Sequence, residues 1–244
     1  MKNILEEIVR YTHDLGFQKI VVETDENFSK IQGQTITQTM HMTAVFKTPI
    51  PHFKGTLGMS NMNILSGFLK SPAFILPDIK VTENKAGEPS VINITSDKGH
   101  SGEYRLMSSM IAQRISKVRM AKAITPDIEF TPSEQFFNDF STFKTILYKF
   151  DPDFRVKVKD KVLMMVVGEN AADGNKAEFP ILEIGEDKEL SPNTWPIDAL
   201  YQVLKQAPSL DACNVQINDE RGTLRVTVET ELAKYIYDIP AVLI

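Results

Sequence analysis

The residue types that do chemistry are sparse in this 244-residue chain and stand apart from one another. Its four histidines, His13, His41, His52 and His100, lack the spacing that imidazoles need to share a metal ion, so each reads as a surface or partly packed ring. The single cysteine, Cys213, lies between alternating strand residues with no obvious partner base, and reads as a small core filler rather than a nucleophile. Carboxylate pairs occur at Glu6/Glu7, Glu186/Asp187 and Asp219/Glu220. They fall in polar helix faces or turns, whereas acid–base catalysis needs a buried setting that shifts a pKa. The sequence has no phosphate-binding glycine loop, no dinucleotide fingerprint and no nucleophilic-serine elbow. The expectation is therefore a protein that is not an enzyme, with no metal and no cofactor.

What remains is positive charge and apolar surface. Lys2, Arg10, Lys70, Lys144 and Lys205 fall away from the apolar stripes of four helices, and Lys149 lies just past the third helix. Arg114, Lys117, Arg119 and Lys122 form a basic run with no acid inside it. Each of these cations reads as an ordinary solvated charge or as a contact to a phosphate or a partner. Acids share the helices, and the formal net charge is −5, so the chain as a whole does not carry the charge of a nucleic-acid binder. At the C-terminus a strand ends at Pro240 and a bare apolar tail follows it. That tail either folds back onto its own sheet or lines a partner site.

The elements that must position these residues follow from periodicity. Hydrophobic content of 42% with 24% charged residues is that of an ordinary globular protein, and no window approaches the roughly 18 apolar residues of a membrane span. Acids occupy the N-terminal stretch where a signal peptide would have its apolar core, and one cysteine suits a reducing compartment, so a cytoplasmic location is expected. Residues 1–16 read as an amphipathic helix stopped by Gly16. Strands are expected over 18–24 and 31–46, and then 55–59. A helix capped by Ser60 should cover 61–70, followed by strands over 74–82, 90–96 and 103–107. Downstream, one pattern occurs twice. The strand 128–130 leads through Thr131-Pro132-Ser133-Glu134 into a helix carrying Phe136, Phe137, Phe140, Phe143 and Leu147, and strands over 155–159, 162–167 and 178–184 follow. A strand near 190–195, a helix opening at Pro196 and three further strands ending at Ile239 repeat it. The fold class is α+β: two similar domains, each a doubled β-α-β-β-β unit with two helices on one sheet face. The N-terminal domain should span 1–112, a basic connector 113–126, and the C-terminal domain 127–244. In the first half the opening strand is missing or degenerate.

This doubled architecture resembles the DNA polymerase sliding clamps, both the trimeric tailed-phage type and proliferating cell nuclear antigen. Three stretches carry the resemblance beyond element order: Pro51-His52-Phe53-Lys54-Gly55-Thr56-Leu57-Gly58-Met59, Ile128-Glu129-Phe130-Thr131-Pro132-Ser133-Glu134-Gln135-Phe136-Phe137, and Asn193-Thr194-Trp195-Pro196-Ile197-Asp198-Ala199-Leu200. The helix faces are less basic than in that family, and the connector is more basic. The resemblance implies a clamp fold and a homotrimeric ring whose helices line a hole around duplex DNA. Its function would be to tether the replicative polymerase, with a clamp loader as second partner. It implies DNA contacts at Lys2, Arg10, Lys70, Arg114, Lys117, Arg119, Lys122, Lys144, Lys149 and Lys205, and a partner-peptide pocket at Val118, Met120, Ile239, Pro240 and Val242. If the chain is phage-encoded, its site of action is the host cytoplasm. The alternative class is a phage or viral β-rich structural protein that assembles through its sheet edges.

Overall fold

The computed structural model describes residues 1–115, 123–170, 172 and 174–242. It divides into two compact units, Met1–Ala121 with Glu231–Tyr235, and Lys122–Thr230 with Ile236–Ile244.

Unit 1 opens with α1 (Lys2–Tyr11), followed by one 3-10 turn over His13–Leu15 that ends on left-handed Gly16. The 3–4 spacing of apolar residues turns Leu5, Ile8 and Tyr11 inward; Leu5 and Ile8 are fully buried, and the Tyr11 ring stacks on Tyr235 at 4.6 Å. Next come β1 (Lys19–Thr24), β2 (Ser29–Gln34), β3 (His41–Phe46) and β4 (Gly55–Ser60), paired antiparallel in the order β4-β1-β2-β3. The returning segment Glu231–Tyr235 belongs to this unit, and Lys47 donates its N–H to the Leu232 carbonyl at 2.9 Å. Helix α2 (Met62–Lys70) and a 3-10 turn over Pro72–Phe74 lead to a second sheet, β5 (Asp78–Glu83), β6 (Pro89–Thr95) and β7 (Ser101–Arg105), in that order. Helix α3 (Ser109–Ile115) closes the described part of this unit and buries Ala112.

Unit 2 carries β8 (Ile128–Phe130), α4 (Glu134–Leu147), β9 (Asp153–Lys159), β10 (Val162–Val167), β11 (Ala177–Glu183) and β12 (Thr194–Pro196). It continues with α5 (Ile197–Gln206), β13 (Cys213–Asn218), β14 (Thr223–Glu229) and β15 (Ala233–Pro240), of which Ile236 onward belongs to unit 2. Its sheets run β11-β10-β9-β12 and β15-β14-β13-β8. The Ser133 hydroxyl accepts the Phe136 N–H at 3.1 Å, satisfying one orphan donor at the start of α4. The aromatic stripe of α4 bridges both sheets. Phe136 meets Phe130 at 5.8 Å and Phe179 at 6.2 Å, while Phe140 meets Phe154 edge-on at 5.9 Å. Burying a phenylalanine such as Phe140, which is fully enclosed, stabilises by roughly 1.5–3 kcal/mol.

Four local expectations are corrected. The single strand over 31–46 is a hairpin turning at 35–39, because Thr35 donates its N–H to the Met40 carbonyl and accepts the Met40 N–H on its side-chain oxygen, and Gln38 adopts φ 57°. The alternating threonines that looked like strand are turn formers here. Ser60 does not cap α2: it is the last residue of β4, its carbonyl accepts the Tyr104 hydroxyl at 2.7 Å, and left-handed Asn61 occupies the cap position. Phe74 lies in the Pro72–Phe74 turn rather than in β5, because Pro72 and the capping Ser71 hydroxyl start a 3-10 turn there. The strand near 190–195 shrinks to Thr194–Pro196, since Ser191 is held instead by the Asp219 carboxylate. Helix α3 covers the first three residues of the expected connector, 113–115. Among the described residues no helix is long and apolar enough to cross a membrane.

Candidate nucleic-acid interface

Each of α1, α2, α4 and α5 presses an apolar stripe inward and leaves a polar face outside, where the proposed phosphate contacts would sit. The structure sorts the seven described cations of the ten into distinct groups. Lys2 is engaged: its ammonium donates to the carbonyls of Ile75 at 2.6 Å and Phe74 at 3.3 Å and pairs with Glu6 at 3.6 Å. Lys70, in the last turn of α2, reaches Asp14 at 3.1 Å but remains exposed. Arg10 is exposed, with its guanidinium 5.4 Å from the centre of the Tyr11 ring. Arg114 is exposed in the last turn of α3.

In unit 2 three of the cations stand on or next to α4 and α5. Lys144 is held by Asp198 at 2.9 Å and lies 4.7 Å and 4.8 Å from the ring centres of Tyr201 and Tyr148, leaving its side chain 19% exposed. The hydrogen bond to Asp198, with burial and the charge of Asp198 behind it, raises the pKa of the Tyr148 phenol. Lys205 lies 5.9 Å from the same Tyr201 ring and is exposed, as is Lys149 just beyond α4. Tyr201 is in turn stacked on Phe137 at 5.7 Å. Lys149 and Lys205 therefore offer charge at the surface, while Lys144 ties α4 to α5. Lys117, Arg119 and Lys122 lie outside the described residues, as do Val118 and Met120 of the expected partner pocket.

Ala241 and Val242, the last described residues, fold back onto their own unit. Ala241 donates its N–H to Gly222 at 2.7 Å, and Val242 donates to Thr194 at 2.8 Å beside Trp195, whose indole N–H also reaches Gly222 at 3.3 Å. Ile239 is fully buried and has no surface to give a partner; Pro240 is half-buried and Val242 is 39% exposed.

No protein-family model matches the sequence, and no curated protein matches it either. Solved structures do. The whole chain superposes on 96% of a chain from the structure of the C-terminal region of FEN-1 bound to A. fulgidus PCNA, with a TM-score of 0.71 and 11% identity. PCNA from Entamoeba histolytica matches 99% of the chain over 94% of its own length, with a TM-score of 0.60 and 11% identity. The H. pylori beta clamp, solved with diflunisal, matches all of the chain over 64% of its own length, with a TM-score of 0.65 and 7% identity. This chain has the sliding-clamp fold.

The contacts of Lys144 with Asp198 and Tyr201 are the part of this site that the sequence does not reveal. Tyr148, four places after Lys144 and capping the end of α4, follows from helical spacing alone. Asp198 and Tyr201 stand on α5, more than 50 positions away, and no periodicity connects them to Lys144.

Proposed function

We propose that this chain is a sliding clamp: a non-enzymatic processivity factor that closes as a homotrimer around duplex DNA and holds a DNA polymerase there, placed on DNA by a clamp loader. The observation that carries this reading is the end-to-end match of the fold to PCNA, with no large part of either chain left over. Holding a polymerase by encirclement needs topology rather than affinity, so a sparse set of surface cations supports the reading as well as a dense one would. The contacts would go to backbone phosphates and carry no sequence information.

Of the ten cations, Arg10, Lys70, Arg114, Lys149 and Lys205 are proposed as the phosphate contacts, with Lys117, Arg119 and Lys122 as candidates in the connector. Lys2 and Lys144 act as positioning residues, because their ammonium groups are engaged inside the protein. The two units serve as the two clamp domains, joined by the segment 113–126. For the partner segment, Pro240 and Val242 are proposed as contacts, with Val118 and Met120 of the connector as further candidates; Ile239 is buried within its own unit.

The deciding experiment is retention on a closed DNA circle. The assembled protein should stay on the circle and leave within minutes once a single cut opens it. Equal retention on closed and cut DNA would mean ordinary electrostatic binding and would overturn the reading.

A further inference from the structure

The two units end one of their sheets differently. In unit 2, β8 lies beside β13 in the register Val215–Phe130, Gln216–Glu129 and Ile217–Ile128. Its Ile128 and Phe130 are 6% and 8% exposed and seal that side of the core, so that Val215 and Ile217 are almost fully buried. In unit 1 the matching sheet is β5-β6-β7, and among the described residues nothing pairs with β5 on the side away from β6. Inward alternation aligns Ile79 and Val81 of β5 with Val215 and Ile217 of β13, and Lys80 with Gln216.

The consequences are visible at β5. Ile79 and Val81 are only half-buried, and the loop just before them exposes Ile75 and Leu76 by 67% and 87%. That loop is fixed in place, because Lys2 holds the carbonyls of Phe74 and Ile75. An open strand edge presents a row of backbone donors and acceptors that fits another extended chain. Lys80, 75% exposed, stands where an incoming residue equivalent to Glu129 would face it. The acids near the edge, Asp78 and Glu83, already face Lys80 at 2.7 Å and Lys54 at 3.4 Å. The Asp78 pair is solvent-exposed and can exchange partners.

We propose that the free edge of β5 is a docking site for an extended segment of a partner protein, one acidic residue between two apolar ones. The segment would add to the sheet as β8 does in unit 2. The site does not depend on DNA or on ring closure.

The probe is a fluorescent peptide with the sequence of residues 125–132, Thr-Pro-Asp-Ile-Glu-Phe-Thr-Pro, titrated into the full chain without DNA. Saturable binding is expected, with slowed amide exchange confined to β5. Lys80→Glu should weaken it about tenfold, and changing the peptide's glutamate to lysine should restore binding to that variant, which a merely structural effect of the substitution would not do. Absence of saturation up to roughly millimolar peptide would overturn the proposal. So would indifference to Lys80→Glu, or protection elsewhere in the chain. If Lys80→Glu instead abolishes a self-association seen by mass while the peptide does not bind, a second copy occupies the edge and the proposal fails.

Discussion

Cys213 and Glu178 show how burial and pairing set single-residue chemistry here. Burial of Cys213 pushes its thiol up to about 11. Almost no thiolate then exists at neutral pH, so the native chain should be inert to a thiol reagent and should release one equivalent only when denatured. Rapid reaction of the native protein would mean the strand that carries Cys213 is open. Glu178 accepts hydrogen bonds from Lys157 and Lys176, which hold its carboxyl at about 2, below the usual 4.5. The folded pKa is depressed, so the stabilisation is complete above the unfolded value and fades as pH falls from about 4.5 through about 2. Glu178→Gln should therefore lower the denaturation midpoint at pH 7 and change it little near pH 2. An equal loss at both would show that the ion pair is not the cause. Lys144 carries the corresponding lesson about charge: sequence spacing placed it on a polar face, but Asp198 and two tyrosine rings make it a brace between helices.

Helix α4 was the most legible element, because Ser133 as cap and phenylalanines at helical spacing agree with each other and with the sheet beneath. Phe140 lies at the centre of that stripe, and Phe140→Ala should cost about 3–5 kcal/mol of unfolding free energy in denaturant titration. A loss below about 1 kcal/mol would mean the site collapses around the missing ring. Gly168, just after β10, adopts φ 84°, and an added Cβ would run into the Asn175 carbonyl oxygen. Gly168→Ala should cost about 1–3 kcal/mol from left-handed strain alone. Elements failed to read correctly where a polar side chain chose between partners. Thr35 bends the chain onto Met40, and Asp219 draws Ser191 out of the strand preceding α5. Threonine and serine fit strands, turns and caps alike, so their choice is made by what lies opposite.

At the scale of the whole molecule, the clamp reading makes demands that no single helix makes. Three copies of a 27.5 kDa chain should give a discrete species of about 82.5 kDa in solution. A monomer, or an open polymer, would count against it. Lys149→Glu together with Lys205→Glu should weaken retention and polymerase stimulation while leaving that mass unchanged; unaltered stimulation would remove both lysines from the DNA-facing set. Salt separates the two ways of holding DNA. At about 1 M salt, binding to linear DNA should vanish, while protein already on a closed circle should remain.

From sequence alone, the doubled strand–helix pattern, the apolar stripes of the four helices and the core position of Cys213 could be settled, because each rests on local periodicity. Folding decided the rest. The turn at 35–39, the engagement of Lys2 by a loop more than 70 residues away, the burial of Ile239 and the open side of β5 depend on residues distant in the chain. Spacing specifies which way a side chain faces, and only three-dimensional packing specifies what it meets there.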